Sequence, residues 1–227
     1  MKARLPLTIL TALLIFAAGY AALFIAPEEK TMRAIQRIFY FHLPSWIAMF
    51  SAFSVVFYAN VAYLITRNRK WDALGVSGVE VGVICCTIGL MTGPLWARPV
   101  WGIWWTWDAR LTTTFILWLL YIAYLLLRGL LEDPEKKASL SAIFGIFASL
   151  DIPLVYLSNR LWRTQHPAPV IGGDADSGMA PPIATAFVWN IVAWAAWGLL
   201  ILTIRVAIER RQQAIDRAAE AAALAAD

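Results

Sequence analysis

Six long apolar runs separated by short polar segments constrain this chain more than any other feature of its sequence. The runs lie roughly at residues 5–26, 39–65, 77–97, 111–131, 139–158 and 183–207. An α-helix needs about 20 apolar residues to cross a bilayer, so each run is long enough to span a membrane once. The first run follows Lys2 and Arg4, but it exceeds the apolar stretch of a secretory signal and is interpreted as a membrane helix.

Composition supports the same class. The chain is 60% hydrophobic and 15% charged, with a mean hydropathy of +0.64, which is too apolar for a water-soluble domain of 227 residues. The sequence therefore predicts an all-α integral membrane protein with one six-helix membrane domain over 1–208 and a cytoplasmic tail over 209–227. The net charge of +4 comes from bases in short loops and at the ends of apolar runs, which argues against nucleic acid as a partner.

The distribution of basic residues predicts the orientation. Lys and Arg number twelve on one side of the predicted helices and seven on the other. The richer side holds Lys2, Arg4, Arg67, Arg69, Lys70, Arg128, Lys136, Lys137, Arg205, Arg210, Arg211 and Arg217. The other side holds Lys30, Arg33, Arg37, Arg98, Arg110, Arg160 and Arg163. Since cytoplasmic loops carry the excess of Lys and Arg, both termini are predicted to be cytoplasmic, with the polar break at 98–110 outside.

Tryptophan is concentrated in this outer break. Residues 96–107 contain five of the twelve tryptophans, within a tryptophan-rich outer segment over 96–112. A helical, amphipathic segment would put Trp101, Trp104, Trp105 and Asp108 on one face, as a flat plate on the membrane surface. The alternative is an aromatic belt, which anchors helix ends at headgroup depth. The scattered tryptophans are assigned to such a belt: Trp46, Trp71, Trp118 and Trp162.

The chain has two histidines, and the predicted topology places both on the outer side. His42 lies at the outer end of the second apolar run, and His166 lies in the last outer loop. Two facing imidazoles are able to supply both axial ligands of a haem iron. Alternatively, each is an ordinary polar residue near the membrane interface. A zinc site is not predicted, because no further ligands of suitable spacing accompany the pair.

Haem propionates need cationic partners once they leave water. Arg98 and Arg110 bracket the tryptophan-rich break and are candidates for that role, with simple loop charges as the alternative. Other outer candidates are Arg33, Arg37, Arg160 and Arg163. Asp108 is either a contact of the haem or an architectural residue that holds Arg110 or an indole N–H, and Asp151 inside the fifth run receives no role.

These residues support a family resemblance. Residues 101–112, which read WGIWWTWDARLT, resemble the tryptophan-rich WWD signature of the haem-handling proteins of cytochrome c maturation. Other branches of that family have many more helices, whereas six helices in about this length are similar to the haem exporter subunit CcmC. The resemblance covers essentially the whole chain, because the two outer histidines also lie where that family has them.

The resemblance implies a site for haem b at the periplasmic face of the cell inner membrane. His42 and His166 would be the axial ligands of its iron. The other implied haem contacts are Trp101, Trp104, Trp105, Trp107, Asp108, Arg98 and Arg110. Implied partners are a periplasmic haem chaperone, the ATPase and membrane subunits of an ABC transporter, a small single-helix subunit and membrane lipid. The chain itself would be a haem-binding and delivery subunit rather than an enzyme.

Two other functions remain open on sequence grounds. An electron-transfer cytochrome b membrane subunit also uses paired histidines, but its haem is generally buried between helices. A small-solute permease would need polar groups along a path through the bilayer, and few are present. The loop over 170–182 is predicted to be either a chaperone-docking surface or a plain linker.

Overall fold

Helices dominate the part of the chain that the computed structural model describes, residues 4–166 and 179–225, and no β-strand is present within those ranges. The α-helices are α1 (Leu5–Tyr20), α2 (Phe39–Thr66), α3 (Arg69–Trp101), α4 (Ala109–Leu130), α5 (Pro134–Ser149), α6 (Asp151–Leu161) and α7 (Pro181–Leu224). A π-helical turn (Ala21–Ile25) extends α1, and a 3-10 helix (Ala34–Ile38) precedes α2. Together they form six helical segments long and apolar enough to cross a membrane, with α5 and α6 making one. The predicted all-α membrane fold is confirmed.

Several helices extend beyond the apolar runs. The polar break predicted over 66–76 shrinks to Arg67 and Asn68. Arg67 adopts a left-handed conformation with φ of 54° and ends α2. The Asn68 side chain accepts a hydrogen bond from the Lys70 amide at 3.1 Å and starts α3. Polar residues at the start of α3 are therefore helical, because a side-chain cap and not hydropathy sets the helix end.

The fifth apolar run is two helices. Leu150 separates α5 from α6, and Pro153 lies in the first turn of α6. Proline has no amide to bond the carbonyl four residues earlier, here that of Ser149, so a continuous helix loses a hydrogen bond at this point. The break places Asp151 at the start of α6, where its side chain is buried and its Oδ2 has no hydrogen-bond partner among the described residues.

The α2 and α3 helices form the centre of the bundle. Their core includes Phe53 and Val56 from α2 and Val79 from α3, none of which is exposed. Gly82 lies directly against the Phe53 ring, which leaves no room for a Cβ atom. The close approach of these two helices brings the start of α2 against the end of α3.

A buried ion pair ties α7 to the rest of the bundle. Arg128 in α4 binds Asp72 in α3 at 2.5 Å and Glu209 in α7 at 3.3 Å. Gln213 also donates to Asp72 at 3.0 Å. The α7 helix continues past residue 208 without interruption to Leu224. The division into a membrane domain over 1–208 and a tail over 209–227 stays a prediction, as does the role of the loop over 170–182, of which residues 170–178 lie outside the described ranges.

Candidate functional site

His42 lies in the first turn of α2 and is buried, with 8% of its surface exposed. Its Nδ1 is 2.8 Å from Thr92 Oγ1 in α3. The Thr92 hydroxyl donates its one hydrogen to the Ile88 carbonyl at 2.7 Å, so it accepts from His42. His42 therefore carries its proton on Nδ1, and the lone pair of the imidazole lies on Nε2.

Trp46 donates a hydrogen bond to that nitrogen. One helical turn after His42, its indole Nε1 donates to His42 Nε2 at 3.0 Å. An indole N–H is a donor only, which agrees with the tautomer fixed by Thr92. The assignment of Trp46 to an aromatic belt is therefore wrong, because its polar group faces a histidine inside the protein instead of lipid headgroups.

The last turns of α3 contact both histidines. The Trp96 ring packs edge-on against His42 with centroids 5.7 Å apart. The Trp101 ring packs edge-on against His166 at 5.5 Å. His42 also interacts electrostatically with both His166 and Arg110. The two histidines, 124 positions apart in the sequence, thus belong to one site.

The tryptophan-rich segment is not the amphipathic helix that its spacing suggested. Trp101 ends α3, Gly102 has φ of +80°, and residues 103–108 are irregular. The left-handed conformation at Gly102 stops the helix. Trp101, Trp104, Trp105 and Asp108 therefore do not form one helical face.

The tryptophans of this segment differ in their surroundings. Trp104 and Trp107 are 56% and 71% exposed. Trp105 is partly buried and lies edge-on to Trp107 at 5.5 Å, and its indole N–H has no partner among the described residues. Beside it lies an open apolar pocket of about 410 Å³. The pocket is lined by Thr87, Leu90, Met91, Trp105, Trp107, Phe115 and Trp118.

The assignment of Trp118 to an aromatic belt is also wrong. Its Nε1 donates to Thr87 Oγ1 at 2.9 Å, and its ring stacks on Phe115 at 5.9 Å. This indole therefore joins α4 to α3 within the bundle.

Asp108 joins the loops at this end of the bundle. It precedes α4, and its Oδ1 accepts from the Leu111 amide at 2.9 Å, so it is the N-cap of that helix. Its Oδ2 accepts from the Thr106 hydroxyl at 3.3 Å and from the Gln165 amide at 3.4 Å. The same oxygen lies 3.7 Å from His166 Nδ1, too far for a hydrogen bond. Arg110 attracts Asp108 electrostatically without a hydrogen bond, and no indole among the described residues donates to this carboxylate.

His166 is partly buried beside these groups. Burial lowers the pKa of its imidazole below the ordinary value of 6.5, the Arg110 cation lowers it further, and Asp108 opposes both effects. The net shift is downward, so His166 is neutral at pH 7. A neutral imidazole has the lone pair that a metal ligand requires.

The two predicted arginines have different surroundings. Arg98 donates through Nη1 to the carbonyl of Gly102 and covers the end of α3. Arg110 is partly buried in the first turn of α4 and interacts electrostatically with His42 and His166. Of the two arginines, Arg110 is therefore the one whose charge acts on both histidines.

Sequence reasoning missed Trp46, Thr92 and Trp96 as members of this site. Trp46 follows His42 by four positions, a spacing that puts both on one helix face and was a usable signal. Thr92 lies 50 positions from His42, and its role depends on how α2 packs on α3. No local pattern reveals such a contact.

The family model and the individual relatives that match this chain carry the same description. A family model described as heme exporter protein C matches residues 1–222. Heme exporter protein C of Bradyrhizobium diazoefficiens is 29% identical over 92% of this chain and 78% of its own length. The proteins of that name from Paracoccus denitrificans and Escherichia coli K12 are 27% and 25% identical over 84% of this chain, and over 80% and 74% of their own lengths. The family match includes both histidines and the entire tryptophan-rich segment.

Proposed function

The chain belongs to the heme exporter protein C family, and on that premise we propose that it binds haem b at the outer face of the inner membrane. It presents this haem to a periplasmic haem chaperone during maturation of c-type cytochromes. The observation that carries the proposal is that the last turns of α3 contact both histidines, with Trp96 against His42 and Trp101 against His166.

The residues of the site fit haem as cargo. His42 donates Nδ1–H to Thr92, which orients the ring and leaves Nε2 as the ligand atom, a common arrangement for metal-binding histidines. His166 is neutral at pH 7 and supplies the second axial nitrogen. Arg110 is assigned to a propionate, because a cation that interacts with both imidazoles is also close to a haem held between them.

The tryptophan-rich segment is assigned to the porphyrin. Trp101 already packs against His166, and Trp105 offers a buried indole N–H without a partner among the described residues. Trp104 and Trp107 are exposed and are assigned to the outer edge of the porphyrin, where a chaperone approaches. Asp108 holds the segment to the His166 loop, and Arg98 stabilises its start.

An open outer site suits transfer. Two axial ligands and a flat aromatic surface restrain the iron and one region of the porphyrin without enclosing it. One edge thus stays accessible to a second protein. Firm orientation and an exposed edge are the two requirements of handing haem over.

The chain acts as a handling subunit and not as the motor. Its sequence carries no G-x-x-x-x-G-K-[ST] phosphate-binding motif, so we assign ATP hydrolysis to partner subunits of an ABC-type complex. A small single-helix subunit and membrane lipid complete the proposed partners. Both termini are placed in the cytoplasm, which puts the histidines on the periplasmic side.

The test is the absorption spectrum of protein purified from membranes that make ample haem. Wild-type protein is expected to show a low-spin, six-coordinate Soret band. His42→Ala and His166→Ala should each lose that signature and load the chaperone poorly. Gln165→Ala is the control, because it changes an exposed neighbour of His166 and leaves both imidazoles in place. Normal chaperone loading by both histidine variants would show that the axial-ligand assignment is wrong.

A further inference from the structure

We propose that Trp46 caps the iron-binding nitrogen of His42 in the haem-free protein, and that this hydrogen bond breaks when haem is ligated. The inference rests on the proposed function, since it takes His42 as an axial ligand. It adds to that function a specific competitor for the ligand atom, supplied by the same helix.

Thr92 fixes the tautomer of His42. Thr92 Oγ1 uses its only hydrogen on the carbonyl of Ile88, so it receives the proton of His42 Nδ1. The nitrogen left to bind a metal is Nε2. This is the same atom that accepts the Trp46 N–H at 3.0 Å. A lone pair serves one partner at a time, so the indole and an iron atom exclude each other there.

The Trp46 indole packs closely against α3. A Cβ atom at Gly89 would lie 3.0–3.2 Å from Cε2, Nε1 and Cζ2 of Trp46. The Trp46 ring therefore packs closely into a notch on α3 at Gly89, where an added Cβ atom would force the ring to shift by a few tenths of an ångström. The Trp46 ring also packs against that of Phe50, with centroids 6.2 Å apart. The cap is held by packing as well as by its hydrogen bond.

Without Trp46, the Nε2 atom of His42 would be a buried acceptor with no hydrogen-bond donor in the haem-free protein. His42 is buried, and a buried acceptor without a donor is unfavourable. The Trp46 N–H satisfies Nε2 while haem is absent. Binding of iron replaces that bond, so haem affinity is reduced by the worth of the hydrogen bond. A moderate affinity suits a protein that must also release its cargo.

The first measurement needs no haem. Nitrogen-15 labelling of histidine gives signals from two residues, and His166→Ala assigns those of His42. Trp46→Phe keeps an aromatic ring and removes the N–H. The Nε2 resonance of His42 should move toward that of a free acceptor nitrogen, while Nδ1 stays protonated. Trp118→Phe is the matched control, since it removes an indole N–H that bonds Thr87 instead. An Nε2 resonance that does not move in Trp46→Phe would overturn the cap.

The second measurement is a haem titration of the detergent-solubilised protein. Trp46→Phe should bind haem about two- to tenfold more tightly than wild type, which is the worth of one ordinary hydrogen bond. Trp71→Phe, near the opposite end of the bundle, should leave the affinity unchanged. Unchanged or weaker binding by Trp46→Phe would overturn the competition between indole and iron.

A measurement on the wild-type protein covers the case in which Trp46→Phe does not fold. Ultraviolet resonance Raman spectra should show one indole hydrogen bond weakening when haem is added, and no such change in His42→Ala. An unchanged indole signal on haem binding would overturn the proposal. Failure of the proposed function is a separate result: His42→Ala would then keep the wild-type haem spectrum, while the haem-free nitrogen-15 experiment would still report the cap.

Discussion

At the residue scale, single polar side chains hold the histidine site together. Asp108 caps α4 with one carboxylate oxygen and binds the loop before His166 with the other. Thr92 fixes the His42 tautomer, and Trp46 satisfies its remaining nitrogen. The geometry of the two histidines thus depends on neighbours that are not themselves ligands.

Asp108→Ala is expected to affect both stability and haem binding. Loss of the N-cap should destabilise the protein by about 1 kcal/mol, and release of the Gln165 amide should loosen His166. Asp108→Asn should retain the cap and restore most of the stability. Thermal unfolding and haem titration in detergent measure the two effects.

The control for this prediction is Asp133→Ala. Asp133 caps α5 through the Lys136 amide at 2.7 Å and makes no contact with either histidine. It should lower the melting temperature by a similar amount and leave haem affinity unchanged. Equal haem affinity in Asp108→Ala and Asp133→Ala would contradict a positioning role for Asp108.

Rare residue types made part of this site predictable. The two histidines and the dense tryptophans were recognisable because the chain has few other groups able to bind a metal or a porphyrin. The partners of those histidines were not recognisable in the same way. Thr92 and Gly89 are common residues in a membrane helix, and only the packing of α2 on α3 gives them a role.

At the element scale, helix ends and helix contacts decide where side chains face. Apolar runs located the six spans, but caps and breaks lie outside what hydropathy measures. Gly102 ends α3, and the rest of the tryptophan-rich segment is irregular. A helical periodicity therefore does not apply there, and the predicted single face of tryptophans is wrong. The residue pattern of one helix also does not reveal that α2 packs against α3.

Gly89→Ala tests that helix contact. The added methyl would lie 3.0–3.2 Å from three atoms of the Trp46 ring, so the ring must shift by a few tenths of an ångström. The shift should weaken the indole hydrogen bond, and the nitrogen-15 signal of His42 Nε2 should move as in Trp46→Phe. Gly198→Ala is the matched control, since nothing within 4 Å opposes a Cβ in that helix. It should leave the His42 signal in place and raise stability slightly. A His42 signal that responds equally to both substitutions would contradict the notch at Gly89.

At the scale of the whole molecule, the histidine site and the Arg128 ion pairs lie at opposite ends of the bundle. The histidine site lies between the start of α2 and the end of α3. The ion pairs of Arg128 with Asp72 and Glu209 lie where α3 begins, near the end of α4 and in the last part of α7. Alternating helices fix this separation, and the count of Lys and Arg predicts which end is cytoplasmic.

Cysteine labelling in intact cells tests the orientation. Glu28 and Glu132 are exposed, and they lie in the loops after the first and the fourth span, which are on opposite sides of the bundle. A membrane-impermeant maleimide should label Glu28→Cys from the periplasm, and should label Glu132→Cys only after the membrane is opened. The native Cys85 and Cys86 are fully buried, so the wild-type protein is an unlabelled control. The reverse labelling pattern would place both histidines in the cytoplasm, where a periplasmic chaperone cannot reach them, and the proposed delivery of haem would fail with it.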